Sequence, residues 1–264
     1  MSEISAALVK ELREATGAPM MDCKRALEEA GGDLEAARKL LRERGQALAG
    51  KRAGRETTEG IVLATIGGNV GAMVAIGCET EPVARNEEFL RFAERALETV
   101  EADGAEAVER LEEERAELVG KIGENVAVRG ASRFEARDGE ALADYVHPPA
   151  NKIGVLVHYR GGSPAEARRL AMHISFARPR YATRAQVPEE DVEAEREILA
   201  KQPDVQDKPD QVREKIVAGR LGKWYAEAVL EDQPWIHDTD KTVGAALGEA
   251  GLVVLEFERF ALAE

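Results

Sequence analysis

The chain has 264 residues, 44% of them hydrophobic and 33% charged, with a formal net charge of −14. That is enough apolar material for a packed core of one to three domains, which excludes a disordered tail. An acidic body repels a phosphate backbone, so no direct nucleic-acid partner is expected, and no apolar run approaches the roughly 18 residues that a membrane-spanning helix needs.

The charge is unevenly spread. Residues 1–54 hold 10 Lys/Arg against 9 Asp/Glu, and the remainder holds 26 against 41. A protein partner of complementary charge suits such a surface, and charge then mainly speeds the encounter. Met1-Ser2-Glu3-Ile4 shows no basic segment leading into an apolar one, so no secretory leader is read and a cytoplasmic location is expected. Cys23 and Cys78 have no metal-ligand spacing and read as small buried hydrophobes of a reducing compartment.

Taken in chain order, Ile4, Leu8, Leu12 and Ala15 recur at helical spacing, and Gly17-Ala18-Pro19 breaks that helix. Met20, Cys23, Leu27 and Ala30 form a second stripe. Asp33 is placed to cap a third helix with Leu34, Ala37 and Leu41 inward, and Gly45 is read as its end. Residues 46–58 are polar and basic and read as a linker whose start could be helical. The period then changes to two. Ile61 to Ile66 and Val70 to Gly77 predict a strand hairpin around Gly67-Gly68-Asn69. A turn at 78–86 leads to a helix through Phe89, Ala93, Ala96 and Val100, and a second helix runs through Val108, Leu111 and Leu118. Val126-Ala127-Val128 resumes strand.

The pattern then repeats. Lys152-Ile153-Gly154-Val155-Leu156-Val157 matches Asn69-Val70-Gly71-Ala72-Met73-Val74 at an offset of 83 residues, and each is followed by a helix. Ser163-Pro164-Ala165-Glu166 is a capping box. Pro188 to Lys201 and Val212 to Leu230 are helical and flank a proline-marked tip, which predicts an antiparallel, coiled-coil-like hairpin. Val192, Ile198, Leu199, Val212, Ile216 and Leu221 supply its apolar contacts. A helix from about Thr242 and a strand from Leu252 to Phe260 close the chain.

The expected fold class is α+β. A three-helix partner-binding module spans 1–46, a linker 47–58, a core N-subdomain 59–140, and a core C-subdomain 141–264 that carries the helical hairpin at about 188–230. Nothing points to catalysis. There is no phosphate-binding loop, dinucleotide fingerprint or nucleophile elbow, and His147, His158, His173 and His237 stand apart from each other and from both cysteines. An interaction protein is the better reading, and no enzyme activity, cofactor or resident metal is expected.

Gly17-Ala18-Pro19-Met20-Met21-Asp22-Cys23-Lys24-Arg25-Ala26-Leu27 closely resembles the N-terminal module of the elongation factor Ts family. The resemblance recurs in order at Thr80-Glu81-Pro82-Val83-Ala84-Arg85-Asn86-Glu87, at Lys121 to Asn125, at Lys152 to Val157, at Ala171 to Ile174 and at Lys241 to Gly244. It implies a guanine-nucleotide exchange factor that binds elongation factor Tu in its GDP form, displaces Mg²⁺ and promotes GDP release. The resemblance assigns the dislocating tip to Thr80, Glu81, Pro82 and Val83. It places further partner contacts at Lys10, Arg13, Met20, Met21, Ile122, Gly123 and His147, with the hairpin reaching a second region of the partner. Asn86, Glu87 and Glu88 are read mainly as a helix start. A homodimer or a heterotetramer with the partner is left open, and the apolar strand Leu252 to Phe260 could serve either a dimer or the interior.

The tip departs from the family pattern, which reads Thr-Asp-Phe-Val. Glu81 keeps the charge on a longer stem, and Pro82 replaces the aromatic ring. A rival reading rests on the first 45 residues or so, which also resemble a ubiquitin-associated domain. It would leave the rest of the chain idle.

Overall fold

A computed structural model describes residues 4–262. Three helices come first: α1 (Ala6–Thr16), α2 (Met20–Glu29) and α3 (Leu34–Arg52). Strands β1 (Glu59–Gly67) and β2 (Val70–Cys78) form a hairpin that leads through one helical turn, α4 (Glu81–Ala84), into α5 (Glu87–Asp103). A 3₁₀ segment, Ala105–Leu111, and α6 (Glu112–Ile122) return the chain to β3 (Val126–Glu135). The second half opens on β4 (Glu140–Val146) and β5 (Ile153–Gly161), followed by α7 (Pro164–Ala177). Helices α8 (Glu189–Ala200), α9 (Pro203–Gln206) and α10 (Asp210–Ala228) form the hairpin arm. Strands β6 (Pro234–Trp235) and β7 (Asp238–Thr242), helix α11 (Val243–Ala250) and strand β8 (Leu252–Ala261) complete the fold.

The α+β class and the internal duplication are both visible in the sheets. Each is three-stranded and antiparallel, in the orders β1-β2-β3 and β4-β5-β8. The central strands β2 and β5 begin at Val70 and Ile153, at the offset of the sequence repeat, and each half packs a helix on its sheet. On β2, Ala72, Val74, Ile76 and Cys78 face α5 with Phe89, Ala93 and Val100. The alternate residues Met73 and Ala75 face the other sheet and pack with Val62 of β1 and with Leu156 and Leu262. A strand covered on both faces needs apolar side chains at every position, which explains the near-continuous run Val70–Cys78. The strand β4 was not anticipated. Its signal is the alternation Ala141, Ala143, Tyr145, with Ala143 and Tyr145 buried under α7.

Several local expectations are corrected. Ala15, expected inward, lies exposed at the end of α1, where Gly17 turns the chain, and Val9 takes the buried place beside Leu12. Met20, placed both on the apolar stripe of α2 and among the partner contacts, is 51% exposed, so it leaves the stripe. Gly45 does not end α3, which runs on to Arg52 and shortens the linker to 53–58. The reason lies in tertiary packing. A Cβ on Gly120 of α6 would sit 2.9 Å from the Gly45 Cα, and one on Gly45 would sit 3.2 Å from the Ala116 carbonyl oxygen. The paired glycines let α3 and α6 cross at near-backbone contact. Close packing there offsets the roughly 1 kcal/mol that glycine costs inside each helix.

The hairpin arm carries a small core of its own, made of Leu199, Val205, Val217 and Leu221 with Val192, Ile216, Trp224 and Tyr225 around it. Ile198 and Val212, expected to pack there, are 58% and 44% exposed instead. Each points away from the seam between the two helices. At its base the arm is tied to the body by Leu230 N–H donating to Tyr181 O at 2.8 Å and by the Arg184–Asp232 ion pair at 2.7 Å. Strand β8 is the outer strand of its sheet, bonded to β5 along one side.

His173 on α7 is fully buried. Its Nε2 lies 2.9 Å from Gln233 Oε1, and its Nδ1 accepts the Ile236 N–H at 3.3 Å. Both ring nitrogens are used by the neutral form, so burial holds the imidazole below its ordinary value of 6.5. A base with a lowered folded-state value is protonated first in the unfolded chain. The stability it permits is therefore intact above pH 6.5 and falls as pH drops from there through the folded value. In an NMR titration the His173 ring should show a midpoint below the ordinary value of 6.5, and a midpoint at or above it would refute this.

Candidate functional site

The site grows from the end of β2. Glu79 follows the last paired residue, Cys78, and its carboxylate receives the Asn125 N–H at 2.6 Å, Arg52 at 3.2 Å and Arg55 at 3.0 Å. Burial raises the Glu79 value, but those three donors outweigh it and hold the carboxyl below its usual range. Asn125 is itself buried and donates its amide to Arg55 O at 2.9 Å. Thr80 comes next. Its N–H and its hydroxyl both donate to the Glu124 carboxylate, at 3.1 and 2.8 Å. Thr80 is the residue before α4, but its side chain accepts no helix N–H and is turned to Glu124 instead.

Held in this way, α4 presents Glu81 and Pro82 to solvent. Pro82 lies in the first turn of the helix, where its fixed φ is compatible and its missing N–H costs nothing. Glu81 pairs with Arg85 at 2.5 Å, with side chains 64% and 79% exposed. So exposed a pair contributes less than about 1 kcal/mol, and the carboxylate can leave it at small cost. Val83 points the other way, into the core with Phe89 and Val126, and anchors the turn from beneath. Asn86 accepts the Glu88 and Phe89 N–H groups at 2.8 and 3.3 Å, so the start of α5 is capped as its sequence predicts.

The other expected site residues converge on this end of the body to different degrees. Gly123, at φ 77°, closes α6, and Ile122 packs half-buried against the N-sheet core. The glycine turn is what aims Glu124 at Thr80. His147 is exposed in the β4–β5 turn, with Nδ1 2.8 Å from the Tyr145 hydroxyl. That turn is fastened to β1 by Val62 N–H donating to Asn151 O at 2.7 Å and by Lys152–Glu59 at 2.6 Å. Glu59 lies opposite Cys78, one residue before the latch begins. From the N-terminal unit, the Gly17 loop abuts Glu88 and Lys121, themselves paired at 3.8 Å. Met20 and Met21 follow at once, 51% and 61% exposed. Lys10 and Arg13 are exposed on α1, Lys10 about 10 Å along the helix from Gly17.

Sequence reasoning did not identify Arg52, Arg55, Glu79, Glu124 and Asn125, the residues that lock the tip. Glu124 and Asn125 lay inside a recognised block, but nothing in their spacing announces a bond to Thr80, 44 positions away. Among the described residues no group of three or more His, Cys, Asp or Glu side chains is arranged to hold a metal, and no helix is long and apolar enough to cross a membrane.

Comparison with known proteins bears directly on this end of the molecule. The family model described as Elongation factor TS matches residues 79–264, beginning at the first latch residue, Glu79. The chain belongs to the elongation factor Ts family. The elongation factor Ts of Thioalkalivibrio sulfidiphilus is 44% identical over 273 residues, covering 99% of this chain and 92% of the relative. That of Photorhabdus laumondii is 43% identical over 270 residues, with coverage of 100% and 94%, and that of Methylococcus capsulatus is 40% identical over 274 residues. Family membership thus covers α1 to α3 as well as the segment matched by the model. It places the chain among translation elongation factors.

Proposed function

We propose that this chain is a guanine-nucleotide exchange factor that binds elongation factor Tu in its GDP form, dislodges Mg²⁺ and promotes GDP release so that GTP can load. The observation that carries the proposal is the locked tip: two exposed side chains, Glu81 and Pro82, on one helical turn whose base is bonded to Glu124 and Asn125. A contact element ordered before it meets its partner loses little entropy on binding, so more of its interaction energy remains to disturb the partner. The chain makes and breaks no covalent bond and needs no cofactor in this reading; the nucleotide and the ion belong to the partner.

The remaining contacts follow from what shares this end of the body. Exposed methionines at 20 and 21 give an adaptable apolar contact, and Lys10 and Arg13 add charge beside it. Gly123 precedes the Glu124 that holds Thr80, Ile122 packs in the core of the same subdomain, and His147 adds an exposed contact from the β4–β5 turn. The arm of α8 and α10 reaches a second region of the partner. Coupling is reciprocal: whatever free energy the factor uses to weaken GDP, incoming nucleotide uses to weaken the factor. The factor is therefore released when nucleotide returns and acts again.

The test is release of fluorescent GDP from elongation factor Tu with and without the chain. Marked acceleration is expected, and an unchanged rate would overturn the proposal. Pro82 refines it. An aromatic anchor in a pocket is often worth about 2 kcal/mol or more, and Pro82 offers only a small ring in that place. Pro82→Ala should therefore slow exchange only about threefold, since backbone placement carries most of the effect. A loss as large as that from deleting residues 80–83 would show that the ring itself is the wedge.

A further inference from the structure

A second surface stands out from the acidic body. Residues 167–188 contain Arg168, Arg169, Arg178, Arg180 and Arg184, with no Asp or Glu, in a chain that otherwise carries 31 Lys/Arg against 50 Asp/Glu. All five arginines are exposed. Among them sits Phe176, 75% exposed, the highest value of any large apolar side chain described. Nothing in the folding of α7 requires it: the helix buries Ala167, Leu170, Ala171 and Ile174 on its inner face. Arg169, Met172 and Phe176 fall at i, i+3 and i+7, so they share a stripe on the other side of the helix.

The arginines are also held in place. Arg168 lies over the Tyr145 ring at 5.6 Å, Arg169 over Trp235 at 5.9 Å, Arg180 over Tyr181 at 5.4 Å and Arg184 over Tyr225 at 4.7 Å. Stacking orients each guanidinium. Arg184 also pairs with Asp232 and Arg180 lies 3.7 Å from Asp191, whereas Arg168 and Arg169 form no ion pair among the described residues, which leaves their edge N–H groups open to an acidic ligand. Helix α7 thus carries two oriented cationic side chains, Arg168 and Arg169, and an exposed aromatic ring, Phe176.

We infer that this face, centred on Phe176, docks a short acidic protein segment that also carries a large apolar side chain. The segment belongs to the same partner on which the proposed exchange function acts, and the inference rests on that function. Charge complementarity selects the occupant. The basic strip is short and ends at Pro188, after which Glu189, Glu190, Asp191 and Glu193 follow directly on α8. A long polyanion such as RNA would run from the strip onto those carboxylates, whereas a segment of a few residues fits within it. Aromatic and arginine side chains together are the composition of an interface centre.

The test uses the full chain and titrates GDP release from the partner GTPase. Phe176→Ala and the double variant Arg168→Glu/Arg169→Glu should raise the concentration for half-maximal release about tenfold, the effect of losing one strong anchor. The maximal rate at saturation should stay near that of the unsubstituted chain, because neither change touches the tip. The shift for the double variant should shrink in high salt. An unchanged half-saturation point in both variants would overturn the inference. So would tight binding of a fluorescent single-stranded RNA oligonucleotide that the double variant abolishes, since that would assign the strip to nucleic acid. If the unsubstituted chain releases no GDP, the exchange function itself fails, an outcome distinct from either of these.

Discussion

Glu124→Ala is expected to lower the maximal rate of GDP release about 10- to 100-fold while leaving the fold intact. The Glu124 carboxylate takes two hydrogen bonds from Thr80, one from the backbone and one from the hydroxyl. A charged acceptor strengthens both bonds, although their exposure to solvent limits what they add to stability, and both hold the residue immediately before the tip. Without them α4 remains tethered through Val83 and Glu79, but its first turn can drift. A displacement of about 1 Å in a positioning element can cost two orders of magnitude in rate. Glu124 is only half-buried, so thermal stability should fall by no more than about 1–2 kcal/mol. Thr80→Ser keeps both donors and should behave nearly as the unsubstituted chain. Stopped-flow GDP release together with melting curves checks these outcomes. A Glu124→Ala variant that exchanges at the full rate would show that the latch is structural alone.

Gly60→Ala is expected to destabilise the whole N-subdomain, by about 3 kcal/mol or more. Gly60 has φ +137°, a conformation that L side chains rarely adopt. A Cβ there would fall 2.1 Å from the Ile76 carbonyl oxygen and 2.9 Å from the Gly77 Cα. Both are backbone atoms of β2, so relief requires the strands to part. Gly60 pairs with Gly77 in the β1–β2 register, next to Glu59 and Cys78. The damage therefore lies directly beneath the latch. For a chain of this size the midpoint should drop by roughly 6–12 °C, and exchange should fall with it. Gly68→Ala, at φ +61° in the open hairpin loop with nothing near its Cβ, is the control and should cost about 1–2 kcal/mol from strain alone. Equal midpoints for the two variants would refute the argument from backbone contact.

Much of the architecture was legible because it is written in local signals. The change of period at Ile61, the caps at Asp33, Asn86 and Ser163 and the proline-marked break at 203–209 each act within a few residues of themselves. The repeat between β2 and β5 was legible because both are central strands and face the same demand for burial on two sides. Strand β4 was missed because Glu140 and Asp144 dilute its alternation on the half-buried face that it turns to the other sheet. Gly45 was misread because glycine within a helix and glycine beyond its end look alike until the crossing helix is known.

The candidate site divides in the same way. Thr80 to Val83, Ile122, Gly123 and His147 were picked out as blocks along the chain. Which of them face outward could not be read there: Val83 turns inward while Glu81 and Pro82 do not, because α4 is a single turn over the end of a packed sheet. The latch from Arg52, Arg55, Glu79, Glu124 and Asn125 depends on α6 ending beside β2, which no spacing encodes. The sequence by itself determined most of the elements, their order, the family and the segment in which the candidate tip lies. Only the tertiary structure decided how the tip is held and which faces remain open, because those depend on contacts between residues tens of positions apart, and such contacts exist only once the two sheets and their helices have packed.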